Sequence, residues 1–181
     1  MDYRSTYMCE IMTKRSRNDV NKAVMDRFVA EYGNEVDMRR SEQPKEYVAY
    51  TDGSNNNRHP QRPAGAAYVI LGKDGQCLHY ASKGFLGKTN NYVEMMAIIS
   101  AVGWVPKGAR ITVYSDSKYA IKAFSGHYRP KANINLIERY QQVSEGKEVK
   151  FKWVKGHNGN YWNEYCDDMA RKEYENIKAT L

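Results

Sequence analysis

Four acidic residues sit where the character of the chain changes. Asp52 follows a short apolar run in TDGS, and Asp116 follows another in YSDS. Glu94 lies within NNYVEMMAI and Asp167 within NEYCDDMAR. Glu94 stands out, because a charged side chain rarely enters an apolar helix unless something pairs with it. Singly, each has an ordinary use. Asp52 suits a turn, Asp116 an N-cap and Glu94 the dipole in a helix's first turn, while Asp167 alone says nothing. Together they would repel, each raising its neighbours' pKa. Divalent cations remove that cost, and hard oxygen ligands suit Mg²⁺ or Mn²⁺. Two such ions about 4 Å apart can activate a water and stabilise the leaving oxygen of an in-line phosphoryl displacement. Such a site needs no protein nucleophile.

The surrounding elements must bring these acids together. Tyr47–Thr51 reads as a short strand with Asp52 at its end. GAAYVIL (65–71) and CLHYASK (77–83) flank the turn signal GKDG and predict a hairpin. Tyr92–Val105 is apolar nearly all round, a buried helix with Glu94 in its first turn. Ala109–Tyr114 is a strand ended by Asp116, and 118–124 and 134–143 are helical. In 149–154, Val149, Phe151 and Trp153 alternate with Lys150 and Lys152, a strand with one wet face. In the last helix Trp162, Tyr165, Cys166, Met169 and Ala170 form one apolar stripe. The order predicts an α/β fold, a mixed sheet with helices packed on it. In such sheets, sites form at the carboxyl ends of strands near a switch in order.

The first 46 residues read differently. Residues 17–33 show helical spacing of Val20, Val24, Phe28 and Val29, and a polar stretch containing Pro44 follows. A boundary near residue 46 separates this short helical extension, 1–46, from the domain at 47–181. The extension holds nine basic and nine acidic residues, so the whole net charge of +7 falls on 47–181. A basic domain of this size attracts polyanions. No stretch approaches the roughly 20 apolar residues needed to span a bilayer. With no secretory signal in view and three widely spaced cysteines, the expected setting is a reducing cytoplasm without membrane association.

TDGS, TNNYVEMMA, SDSKYAI, and WVKGHNG followed by NEYCDDMAR resemble the motif series of the type 1 ribonuclease H family, in order, from about Tyr47 to Tyr174. The resemblance implies a five-stranded mixed sheet with its first three strands antiparallel and helices flanking it. It implies a two-metal carboxylate set on Asp52, Glu94, Asp116 and Asp167. Asp167 is preferred to Asp168 because the family places this acid ten residues after the histidine of its KGH motif, here His157. It further implies that His157 assists proton or product movement, that Asn90 and Asn91 meet the minor groove, and that Thr89 contacts a DNA-strand phosphate. Lys88 is placed to help there. The loop 55–63 (NNNRHPQRP) departs from the family in length and lacks its usual glycines. It leaves open which of Asn55, Asn56 and Asn57 reaches RNA, with Asn56 carried as the candidate. The basic helical handle of some members is absent or reduced, since SGHYRPKANIN offers only His127, Arg129 and Lys131.

The implied activity is metal-dependent endonucleolytic hydrolysis of the RNA strand of RNA–DNA hybrids, by a monomer whose extension docks on the nuclease or binds a partner. Two rivals keep the fold. One is a DNA nuclease or integrase-like enzyme of the wider superfamily, and the other is a non-catalytic hybrid-binding module.

Overall fold

The computed structural model describes residues 46–128, 130–156 and 159–181. The sequence reading of a helix at 17–33, the extension up to residue 45, and the roles considered for Arg129 and His157 lie outside the described residues. Five strands and four helices follow in the order β1 (Glu46–Asn55), β2 (Ala64–Gly72), β3 (Cys77–Phe85), α1 (Asn90–Trp104), β4 (Arg110–Ser115), α2 (Lys118–Phe124), α3 (Ile134–Ser144), β5 (Glu148–Trp153) and α4 (Tyr161–Lys178).

The sheet order is β3-β2-β1-β4-β5. β1, β2 and β3 pair antiparallel, while β4 runs parallel to both β1 and β5. The expected mixed sheet, with its first three strands antiparallel, is the one observed. No helix among the described residues is long and apolar enough to cross a membrane.

The two faces of the sheet explain the hydropathy patterns. Tyr47 and Ala49 join a core with Met95, Ile98 and Val102 of α1, Leu136 and Tyr140 of α3, and Ile111 and Val113 of β4. Val48 and Tyr50, which alternate with them, pack on the opposite face beside Cys166, Met169 and Ala170 of α4. β2 is buried along its whole length, covered on both faces, which is why its sequence is an unbroken apolar run. β5 lies beyond the reach of α4, so Lys150 and Lys152 remain exposed on that side.

Three readings change in detail. β1 does not end at Asp52; it continues along β2 to Asn55, while its parallel ladder to β4 stops at the Tyr50–Tyr114 pair. Asp52 therefore sits where one neighbour strand gives out and the other continues. Glu94 is not in the first turn of its helix, because α1 begins at Asn90. Trp153 is not on a buried face but 49% exposed, because β5 ends there and the indole turns to polar and cationic partners.

Candidate active site

β1 and β4 lie side by side, and α1 and α4 cover opposite faces of β1. Their functional side chains therefore converge near the carboxyl ends of the two parallel strands. One carboxylate oxygen from each of Asp52, Glu94 and Asp116 lies within 4.8 Å of the other two. Asp52 and Glu94 are buried, 5% and 3% exposed. Asp167, half-buried on α4, is near enough that its charge acts on Asp52. Asp168 is exposed and paired with Arg171 on the helix surface.

Local contacts brace the acids and the elements that carry them. Gly53 donates its N–H to Asp52 Oδ1 at 2.7 Å. Any side chain at Gly53 would come within 2.9 Å of the Glu94 backbone nitrogen, so glycine lets α1 close on β1. Asn90 Nδ2 donates to Glu94 Oε1 at 3.4 Å, one helical turn earlier on the same face. The N-cap of α2 is Ser117, whose hydroxyl accepts from Ala120 N, so Asp116 is not the capping residue. Cys166, next to Asp167, donates its thiol to the Tyr50 carbonyl at 3.3 Å and fixes α4 against β1.

Burial pushes the Asp52 carboxyl up to about 8, with the Asp116 charge adding to the rise and the Gly53 hydrogen bond opposing it. Glu94 is raised well above the ordinary range, again chiefly by burial and then by Asp52 and Asp116. Glu94 Oε2 is buried without a hydrogen-bond partner. A buried carboxylate oxygen with nothing to accept from, facing two more acids, suits a hard divalent cation. The donor set fits an all-oxygen metal site.

The residues expected to meet substrate lie at the start of α1, just before it, and in the 55–63 loop. Thr89 is the N-cap of α1, its hydroxyl accepting from Tyr92 N at 3.3 Å. Lys88 holds its ammonium 4.5 Å above the Tyr92 ring. Asn91 is exposed, while Asn90 is half-buried and tied to Glu94. Asn56 is exposed, its side-chain oxygen accepting from Arg58 N at 3.0 Å in a local turn. Asn55 donates its amide to the carbonyls of Pro63 at 3.2 Å and Lys88 at 2.6 Å. That residue ties the 55–63 loop to the start of α1.

Sequence reading missed two contributors. Trp153 donates its indole N–H to the Asp116 carbonyl at 3.0 Å, and Lys118 lies 4.4 Å over its ring. Its even spacing with Val149 and Phe151 made it read as core, and only its place at the last residue of the strand hinted otherwise. Gly156 packs directly on Asp116: a Cβ there would lie 2.6 Å from Oδ2. The KGH motif signalled the loop but not that contact.

A mixed five-stranded sheet that brings together the carboxylate oxygens of Asp52 and Glu94, both buried, and of Asp116, half-buried, is the architecture of the ribonuclease H-like class. The RNase H family model matches residues 44–175. A ribonuclease H of Lachnoclostridium phytofermentans is 33% identical over 138 residues, 67% of this chain and 87% of its own length. Ribonuclease HI of Helicobacter pylori is 32% identical over 145 residues, 75% of this chain and 99% of its own. The N-terminal RNase H domain of a Mycobacterium tuberculosis protein superposes with a TM-score of 0.66 at 21% identity, covering 75% of this chain and 97% of that one. A ribonuclease H1 solved in complex with an RNA/DNA hybrid gives 0.60 at 21% identity, covering 72% and 98%. The chain belongs to the type 1 ribonuclease H family and is an enzyme of that family.

Proposed function

We propose that the chain is an endonuclease that hydrolyses the RNA strand of RNA–DNA hybrids, leaving 5′-phosphate and 3′-hydroxyl ends. The observation that carries this is the meeting of Asp52, Glu94 and Asp116 oxygens within 4.8 Å around a buried, unpartnered Glu94 oxygen. These three acids, with Asp167, would hold two Mg²⁺ or Mn²⁺ ions. Such ions supply Lewis acidity toward the phosphodiester and neutralise charge building on the departing 3′-oxygen.

The protein's own groups do the positioning. The three close acids are oriented by backbone, helix and sheet rather than by long flexible side chains, so little reorganisation accompanies reaction. Asn90 and Asn91, at the start of α1, offer short polar groups suited to the 2′-hydroxyl, the group that distinguishes RNA from DNA. Thr89 and Lys88 stand beside them for a DNA-strand phosphate, and Asn56 extends the same surface from the 55–63 loop. His157 would carry a proton or assist product release, following the family resemblance of its motif. Primer removal and hybrid resolution during replication, in the cytoplasm and as a monomer, complete the proposal.

The test is cleavage of an end-labelled RNA–DNA hybrid by the full chain and by Asp52→Asn, each with Mg²⁺ and with EDTA, and a DNA duplex alongside. Wild-type protein should cut only the RNA strand of the hybrid, only with metal, and Asp52→Asn should lose at least about 1,000-fold. Equal cutting by the variant, or cutting of duplex DNA instead, would sink the reading.

A further inference from the structure

The loop between β1 and β2 is built in an unusual way. Arg62 has a backbone φ of +44°, in the left-handed region where a long side chain is strained. Among the described residues the other non-glycine with positive φ is Asn133, and asparagine tolerates that conformation. Arginine has no such excuse, and a glycine at 62 would adopt the same backbone without strain.

The conformation is held from several sides. Arg62 N donates to the His59 carbonyl at 3.0 Å, and Gly87 N donates to the carbonyls of Gln61 at 3.0 Å and Arg62 at 3.1 Å. Asn55 closes the other end through Pro63 and Lys88. Thus the 55–63 loop and the 86–89 loop form one rim, joined at both ends. One end of that rim is three residues beyond Asp52; the other leads through Thr89 into the helix of Glu94.

The rim's charge has one sign. Arg58 and Arg62 are exposed, Lys88 is half-buried beside them in the fold, and none of the three is paired with a carboxylate among the described residues. Between Gly53 and Val93 the sequence has a single acid, Asp74, in the β2–β3 turn at the far end of the hairpin. Exposed, unpaired arginine on a preformed backbone suits phosphate, which its planar fork engages in two directions.

We propose that Arg62 is a nucleic-acid-binding residue that takes a backbone phosphate of the duplex, its backbone held in the loop that follows the Asp52 strand. This rests on the reading of the chain as a nuclease acting on RNA–DNA hybrids. Phosphate contacts position a duplex without reading its sequence. Arg62 therefore sets affinity and salt dependence and leaves the chemistry to the acids.

The experiment compares the full chain with Arg62→Gly and Arg62→Ala. Binding of a fluorescently labelled RNA–DNA hybrid and of a DNA duplex is followed by anisotropy in EDTA across a salt series, with thermal melting in parallel. Removing the guanidinium should weaken hybrid binding about three- to tenfold at low salt and lower the log–log salt slope by about one. DNA-duplex binding should fall in proportion. Arg62→Gly should melt at or above the wild-type temperature, and Arg62→Ala at or below it, because only glycine relieves the backbone. Unchanged affinity and slope in a normally folded Arg62→Gly would overturn the proposal, as would a loss confined to the hybrid. Wild-type cleavage is measured alongside. If wild type does not cut the hybrid but the variants still bind less, the nuclease reading fails and this assignment stands. If wild type cuts and the variants bind normally, the reverse holds.

Discussion

At the scale of single residues, the site depends as much on an absent side chain as on the acids. Gly156 lies so close to Asp116 that a Cβ would stand 2.6 Å from Oδ2. Such a separation cannot persist, so either the Asp116 carboxylate turns away or the loop retreats. Both outcomes displace a group whose oxygen must stay within reach of Asp52 and Glu94. Gly156→Ala should therefore lower hybrid cleavage by at least about 100-fold, since small misplacements of reacting geometry are costly. The loop is near the surface, so the melting temperature should move by only a few degrees. A variant that cuts at the wild-type rate would show that the contact yields without consequence. The acids themselves were legible in sequence because charge inside apolar runs is conspicuous and the motifs fall in order. Gly156 was not, because close approach is a property of two segments folded against each other. Arg62 was hidden for a related reason: composition marks the loop as polar and basic, but no spacing rule reveals a positive φ.

At the scale of elements, alternation gave the sheet and its faces, and it misled at one end. Val149, Phe151 and Trp153 share a side of β5, yet Phe151 is packed while Trp153 is half in solvent. Periodicity reports which side a residue faces, not where the covering helix stops. The indole instead supports the neighbouring strand by donating to the Asp116 carbonyl, with Lys118 over its ring. β5 thereby braces the end of β4, where the candidate ligand Asp116 leaves the sheet. Trp153→Phe keeps an aromatic ring and removes the donor. Loss of one partly exposed hydrogen bond should cost about 1 kcal/mol of stability. Cleavage should fall by about 10-fold, because groups that orient a ligand matter to metal affinity and activity. Calorimetric titration with Mg²⁺ should show a weaker affinity alongside. A variant equal to wild type in both cleavage and Mg²⁺ affinity would reduce Trp153 to surface packing. The same limit applies to strand ends: Asp52 read as the end of β1 because the apolar run stops there, whereas pairing with β2 carries the strand to Asn55.

At the scale of the whole molecule, the acid cluster makes stability depend on pH in a direction opposite to that of most carboxylates. A typical salt-bridged acid has a depressed pKa and strengthens the fold as pH rises. Here burial and mutual repulsion raise Asp52 to about 8 and hold Glu94 well above its usual value. Between the unfolded value near 4 and the folded value, the folded chain keeps protons that the unfolded chain has released. Stability of the metal-free protein must then fall as pH rises through that interval and level off above the folded pKa. His79 acts the other way below neutrality, because burial lowers its pKa and the folded state is stabilised as its imidazolium loses the proton. Its contribution is complete by about pH 7, where unfolded histidine is also mostly neutral. The buried Cys166 thiol, raised by burial, matters only above the ordinary thiol range. The interval from pH 7 to 8 isolates the carboxylates. One proton of difference is worth about 1.4 kcal/mol per pH unit, which for a chain of this length is about 3–5 °C in melting temperature. In EDTA the protein should therefore melt several degrees lower at pH 8 than at pH 7. Asp52→Asn, lacking one of the coupled acids, should show a shallower fall. Saturating Mg²⁺ should raise the melting temperature more at pH 8 than at pH 7, because a cation bound to ionised carboxylates displaces the retained protons. A metal-free melting temperature that rises over this interval would mean that the acids are not held as close or as dry as the structure has them.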